Sequence, residues 1–188
     1  MTFAQYRVYF VLFFLVLSSW FLADLFQPKE AIKLEVRDHS PDYFSTGYFK
    51  KEMDHNGLLK NELKADEMIH YADDQTTHLE NPIMTLYSID LPPWIIKSEQ
   101  AILEADGDNL QLLGKVFISR AGNANLRAIK LNTSELMVKL STSYAVTSQW
   151  AEIIDDQNRT QGYGLQMTFK EPININFLSK VKGRYVFN

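Results

Sequence analysis

Three stretches of this chain repeat one pattern 33 residues apart, and each breaks its own alternation partway along. They are LKADEMIHYADDQ from Leu63, IKSEQAILEADGD from Ile96 and a fainter IKLNTSELMVKLS from Ile129. Each opens with an aliphatic residue and a lysine: Leu63-Lys64, Ile96-Lys97, Ile129-Lys130. Asp66, Glu99 or Asn132 follows, then Met68, Ala101 or Ser134. Helical arrays of similar period need apolar residues at i, i+3 and i+4, whereas here the alternation is by twos, the period of a strand. In the second copy Trp94, Ile96 and Ser98 share one face, after which Ala101, Leu103 and Ala105 take over with opposite parity. The first copy slips the same way, from Leu63 and Ala65 to Met68 and His70. The third goes from Ile129 and Leu131 to Ser134, Leu136, Val138 and Leu140. One extra residue at a fixed place in each strand is a β-bulge, which bends the strand and increases its twist. A turn comes next (ADDQ, ADGDN), then a return strand, in the second copy through Leu110, Leu112, Gly114, Val116 and Ile118. The repeating unit is therefore a bent β-hairpin.

Turn signals punctuate the rest of the chain from Tyr43 onward: DDQ at Asp73, DLPP at Asp90, DGDN at Asp106, AGNAN at Ala121 and RTQGYG at Arg159. Such spacing predicts an all-β architecture. Stacked bent hairpins make two facing sheets, a V-shaped roll. Its predicted interior comprises Leu59, Leu63, Ala65, Met68, Leu79, Ile96, Ala101, Leu103, Leu110, Leu112, Val116, Ile118, Ile129, Leu131, Leu136 and Val138. That interior is either a dry core or a slot that admits acyl chains; periodicity does not separate the two. Gly57, in HNG between two strand-like runs, is expected to take a positive φ in a turn. The run PININF alternates cleanly, with Ile173, Ile175 and Phe177 on one face. It reads as an unpaired C-terminal edge, which joining another sheet would resolve. Lys180, Lys182 and Arg184 follow it, as edge gatekeepers or as contacts for an anionic group.

The N-terminus is of a different kind. Val8 to Ala23 carries no charge, and as a helix Val8 to Phe26 is about 28 Å long, close to the hydrocarbon thickness of a bilayer. Tyr6 and Tyr9 at one end, with Trp20 and Phe26 at the other, suit interfacial belts. Phe21 and Leu22 before Ala23 are too large for a signal-peptidase site. The expected organisation is a tail and transmembrane anchor helix over residues 1–26, a linker over 27–42 with a short strand at Ile32 to Val36, and a β domain over 43–188. Basic residues lie on both sides of the anchor, so charge alone leaves its orientation open.

In a chain of 188 residues with net charge −4, no basic field exists to bind nucleic acid, and without cysteine there is neither a disulfide nor a thiolate site. HYADDQTTH, from His70 to His78, is the one cluster with metal-ligand character. Its aspartates fall in a turn and His70 holds an inward strand position, so no metal site is expected. His39 and His55 read as loop residues without partners. Glu99, Glu104, Asp106 and Asp108 read as exposed or turn carboxylates. No phosphate loop, G-x-S-x-G or H-E-x-x-H occurs. The expectation is no enzyme, no catalytic or metal residues and no cofactor.

Several motifs together resemble the LptC family of the lipopolysaccharide export system. They are Gly57 in HNGLLKNELKADEMIHY, Asn81-Pro82 in LENPIMTLY, and PPWIIKSEQAILEADGDNLQLLGKVFI. The last is similar to the family signature P-x-W-x-(V/I)-x-A-(D/E)-x-A-x-L, carried here by Pro92, Trp94, Ile96, Ser98, Glu99, Ala101 and Leu103. A return strand follows with Leu112 or Leu113, Gly114 and Val116. Ser98 stands where the family usually has alanine. The resemblance implies an OstA-like β-jellyroll, open and V-shaped, behind one transmembrane helix. The helix would lie in the inner membrane with its N-terminus cytoplasmic and the β domain periplasmic. It implies lipopolysaccharide acyl chains against Leu59, Leu63, Ala65, Met68, Leu79, Ile96, Ala101, Leu103, Leu112, Ile129 and Leu131. It further implies that the C-terminal edge (Ile173, Ile175, Phe177, Tyr185) passes the lipid to the bridge protein LptA. The N-terminal edge and helix would then face the LptB, LptF and LptG transporter. The alternative function is a membrane-anchored scaffold with no internal lipid site.

Overall fold

The computed structural model describes residues 3–25, 39–89, 91–124, 126–170 and 172–186, with helix side chains described for residues 9–22. The chain divides into two compact units, Met1–Val36 and Arg37–Asn188. In the first, helix α1 (Phe3–Leu25) forms from the uncharged run. Its described side chains are exposed all the way from Tyr9 to Leu22. Among the described residues, no helix is long and apolar enough to cross a membrane. The short strand expected at Ile32 to Val36 lies outside the described residues, as does Asp90 of the DLPP turn.

The second unit is a single ten-stranded antiparallel sheet. Its strands are β1 (Pro41–Met53), β2 (Leu59–Tyr71), β3 (Thr77–Glu80), β4 (Ile83–Ser88), β5 (Leu91–Leu103), β6 (Asn109–Arg120), β7 (Ile129–Lys139), β8 (Tyr144–Asp155), β9 (Asn158–Thr168) and β10 (Asn174–Arg184). Each strand pairs with its neighbour in sequence. The exception is that β3 and β4 together fill the place between β2 and β5, one beside each half of those long strands. β1 and β10 are the two ends of the sheet. The expected all-β fold of bent hairpins is what forms.

The bend runs across the sheet as one line. Ladder registers shift between Ser98 and Gln100, Leu112 and Lys115, Thr147 and Trp150, and Ser179 and Lys182. Positive φ values fall along the same line, at Gly47, Asn81, Gly114, Glu135, Gly164 and Lys180. Backbone groups freed by a bulge need other partners, and side chains supply several. Gly114 N–H donates to Glu135 Oε1 (2.9 Å), and the Thr133 and Thr147 hydroxyls donate to the carbonyls of Trp150 and Ser134 (2.9 Å each). Ser98, the residue that departs from the family pattern, donates its hydroxyl to the carbonyl of Gln100 across the bulge (2.9 Å). Gly114 holds φ +72°, and a Cβ there would push the exposed Glu99 side chain aside.

Burial follows the slipped parity. Asn61, Leu63 and Ala65 are buried before the bend and Met68 after it; Trp94, Ile96 and Ser98 give way to Ala101. In β7 the break comes two residues later than the sequence echo suggests. Leu131 and Thr133 precede it, Leu136 and Val138 follow, and Ser134 is not inward. The register across the sheet sets the shift, because Leu112 pairs with both Ala101 and Leu136. Two other expectations are corrected. RTQGYG is not a turn but the body of β9, the turn being at Asp156, φ 53°. Its glycines serve the bend and a close approach: a Cβ on Gly162 would lie 2.9 Å from the Phe177 ring. Pro92 and Pro93 likewise belong to β5.

Folding each strand over this line creates two layers. The front layer carries Leu63, Trp94, Ile96, Ile118 and Leu131; the back layer carries Met68, Leu79, Ala101, Leu110, Val138 and Met167. All of them are buried in one core. Trp94 of the front layer meets Phe169, just past the back-layer end of β9, edge to face at 5.6 Å. The buried Arg120 guanidinium lies 4.8 Å from the same indole.

Candidate functional site

The candidate site is the space between the layers. Its middle is filled: Leu79, Ile96, Leu110, Leu112, Val116, Ile118, Leu131, Leu136 and Leu165 are at most 2% exposed. Cavities open at both ends of that packed centre. One of about 900 Å³ is lined by Met53, Leu58, Leu59, Tyr87, Ile89 and Leu91 on one side and by Ser141 and Lys170 on the other, with Asp54, His55, Lys60 and Ser88 at its polar margin. The other, about 350 Å³, lies at the C-terminal end and is lined by Ile129, Ile153, Thr160, Ile175, Phe177 and Tyr185, with Asp155 and Asn158. Both are half-open clefts with apolar floors and polar groups at the rim, a form that suits a small-molecule or lipid ligand.

The structure places the sequence-derived residues as follows. Leu63, Ala65, Met68, Leu79, Ile96, Ala101, Leu112 and Leu131 are buried in the packed centre, and Leu103 is half buried against it. Leu59 lines the larger cavity; Ile129, Ile175, Phe177 and Tyr185 line the smaller. Ile173, just before β10, packs on the core. Thus the apolar side chains of the C-terminal edge point into the interior while the backbone of β10 forms the sheet's end. Sequence reasoning missed Met84 and Leu86 in the core and Tyr87, Ile89, Ile153 and Thr160 on the cavity walls. The alternation of Met84 and Leu86 was legible in LENPIMTLY, masked by attention to its Asn-Pro pair. Nothing local marks Ile153 and Thr160, which reach the cavity only because β8 and β9 stack beside β10.

Gly57 takes φ +78° in the β1–β2 turn, where its N–H donates to the Asp54 carbonyl (3.0 Å). Asp54 accepts the N–H groups of Leu58 and Asn56 (2.8 Å each), and these bonds, Leu58 foremost, hold its carboxyl below the usual range. At the rim of the larger cavity Lys60 pairs with Glu52 (2.6 Å), which depresses the Glu52 pKa.

His39 is not without a partner, contrary to expectation. Its ring stacks on Tyr71 (centroids 4.0 Å apart), and Nδ1 lies 2.9 Å from Asp73 Oδ2. That hydrogen bond raises the His39 pKa and lowers that of Asp73. His39, Asp73 and Asp74 offer ligand atoms within 4.8 Å of one another, while His70 turns instead to Thr77 (3.0 Å) and to the Tyr43 ring.

Three comparisons bear on identity. The family model described as lipopolysaccharide-assembly, LptC-related, matches residues 8–186. No curated protein matches the chain. Among solved structures, the β unit is similar to the crystal structure of LptH from Pseudomonas aeruginosa, the LptA-homologous periplasmic component of its lipopolysaccharide transport device. The TM-score is 0.54 at 10% identity, covering 67% of this chain and 94% of that one. At that identity the likeness concerns the fold, which the two share. With the family model covering nearly its whole length, the chain is a member of the LptC-related family of lipopolysaccharide assembly, and its role lies in lipopolysaccharide transport.

Proposed function

We propose that the interior between the two layers carries the acyl chains of lipopolysaccharide. In this reading the lipid enters from an inner-membrane transporter of the LptB, LptF and LptG type at the β1 end and leaves to LptA at the β10 end. The observation that carries it is the pair of apolar cavities at opposite ends of one apolar core, each beside an unpaired edge strand. An acyl chain in water costs about 0.8 kcal/mol for each exposed methylene, so a conduit has to be lined with apolar groups throughout. The core supplies that lining once the layers separate about the bend. The polar rim groups Lys60, Lys170 and Asn158 suit the boundary where chains give way to a phosphorylated sugar.

The anchor belongs to the same proposal. Phe10 to Leu17 is an unbroken row of large apolar side chains, all exposed on α1, and a helix apolar on every face finds its natural solvent in lipid. α1 then sits in the inner membrane with its N-terminus cytoplasmic and the β unit periplasmic. The packed centre favours a second reading, an anchored scaffold that joins sheets edge to edge and holds no lipid. Photo-crosslinking separates the two. A photoreactive residue at Leu63, Met68, Ile96 or Ile129 is expected to label lipopolysaccharide in an ATP-dependent way, and the same probe at outward Glu99 or Met137 is not. Equal labelling from both faces supports the scaffold.

A further inference from the structure

We propose that the outer face of the front layer docks on an anionic phospholipid surface. The register sets Phe49, Lys64, Ile83, Lys97 and Phe117 side by side in one row across β1, β2, β4, β5 and β6. Lys130 stands in the adjoining row, beside Ser119. These are the lysines of the sequence repeat, which neither the core nor the bend explains. Lys64, Lys97 and Lys130 are all exposed, and among the described residues none has a carboxylate within salt-bridge distance. Of the acids on the same face, Glu62 pairs with Lys51 (3.5 Å) and Glu152 with Arg159 (3.2 Å), while Asp66, which accepts the Asn81 amide, and the exposed Glu99 lie at the bend, one step along the strand from Lys64 and Lys97. The outer face of the back layer carries Glu67 and Glu80, with Lys139 beside Met137, and does not repeat the row of lysines.

Strands about 4.8 Å apart place Lys64 and Lys97 about 10 Å from each other, a comb of cations rather than a pocket. Ile83 stands between them and the two phenylalanines flank them, each 52% exposed, with Lys64 5.0 Å from the centroid of Phe49. Lysine heads on apolar stems beside exposed aromatic rings match the boundary between headgroups and acyl chains. Thirteen residues separate Leu25 from His39, a chain length of at most about 50 Å, so an anchored α1 tethers the β unit to the bilayer. That last step rests on the anchoring reading above.

The chain lacks cysteine, so one introduced cysteine takes a unique fluorescent label. The full chain is reconstituted into phosphatidylcholine vesicles, with or without phosphatidylglycerol, containing a nitroxide-headgroup lipid that quenches nearby dye. A label at Thr85, on the outer front face, is expected to be quenched when phosphatidylglycerol is present and less so at high salt. A label at Met137, on the outer back face, stays bright. Each lysine near an anionic surface is worth about a fivefold change, so Lys64→Gln/Lys97→Gln/Lys130→Gln lowers the docked-to-undocked ratio about 100-fold. Its thermal unfolding should not change. Equal quenching at both labels, no quenching at Thr85, or an unaffected triple variant overturns the proposal. So does energy transfer between copies in place of quenching, which assigns the face to protein. Flotation with vesicles at high salt reads the anchor separately. A chain that floats unquenched refutes docking alone, and one that does not float still has its face tested at low salt.

Discussion

A proline at Ile175 tests whether the backbone of β10 is the export edge, because hydrogen bonds on that strand can be assigned by direction. Phe169 N–H donates to the carbonyl of Ser143 on the β8 side (2.9 Å), so by strand alternation Thr168 turns its backbone toward β10. Asn174, its partner, returns an N–H to Thr168 Oγ1 (3.1 Å). The N–H groups of Ile175 and Phe177 therefore point out of the sheet, and that of Asn176 points into it. Ile175→Pro removes one outward donor, which β9 does not use, and an edge strand tolerates it. The partner's carbonyl left unpaired in a joined sheet costs about 1–3 kcal/mol, or about 5- to 150-fold in affinity. Asn176→Pro deletes a donor within the β9–β10 ladder instead and costs the fold itself about 1–3 kcal/mol. Calorimetric titration with LptA and thermal unfolding, run on both variants and on Ile175→Ala, separate the effects. Ile175→Pro is expected to melt with Ile175→Ala, which trims the same packing against the core, and to lose LptA where Ile175→Ala keeps it; Asn176→Pro loses further melting temperature. If Ile175→Pro binds LptA as the parent does, or if lipid loading fails in it as well, the export edge is not β10.

Other perturbations test single contacts. Gly57→Val meets no atom within 4 Å of its Cβ but must hold φ +78°. The expected loss is about 1–3 kcal/mol from backbone strain alone, read from denaturant midpoints with Gly57→Ala alongside. Gly114→Ala carries the same strain and also pushes the Glu99 side chain aside. It is expected to lose more than Gly57→Ala, with part of the difference restored in Gly114→Ala/Glu99→Ala. For His39 the folded pKa lies above its ordinary 6.5 because of the Asp73 hydrogen bond, so its contribution is complete below that value and fades as pH rises through the raised pKa. Asp73, with a lowered pKa, contributes above its ordinary 3.8 and fades as acid lowers the pH through the depressed one. The clasp between His39 and the β2–β3 turn is thus strongest between those pH values. A ring-proton titration of His39 should shift downward in Asp73→Asn; an unmoved titration refutes the pairing.

The strand period and its slip were legible because they are local. A side chain faces in or out according to its own backbone's parity, so Leu63, Ala65 and Met68, or Trp94, Ile96 and Ala101, declare the bend before any neighbour is known. The positive φ of Gly57 was legible for the same reason: a turn between two strands makes its demand within a few residues. Where the break falls in β7 was not. Ser134 satisfies the repeat on paper, but Leu136 rather than Ser134 must sit beside Leu112, and that ladder decides. The glycines of RTQGYG read as a turn because glycine answers two needs, chain reversal and close approach, and only Phe177 lying against Gly162 tells which. His39 and Asp73, 34 residues apart, meet because β1 pairs with β2 in one particular register. The sequence by itself determined which side chains alternate inward along β2 and β5 and where those strands bend. Which strands stand together, and therefore the cavity shared by Ile129, Ile153 and Phe177 and the alignment of Lys64 and Lys97 in one row of the outer front face, was decided by tertiary structure. Register and layering are relations between distant segments, and no one segment's own pattern contains them.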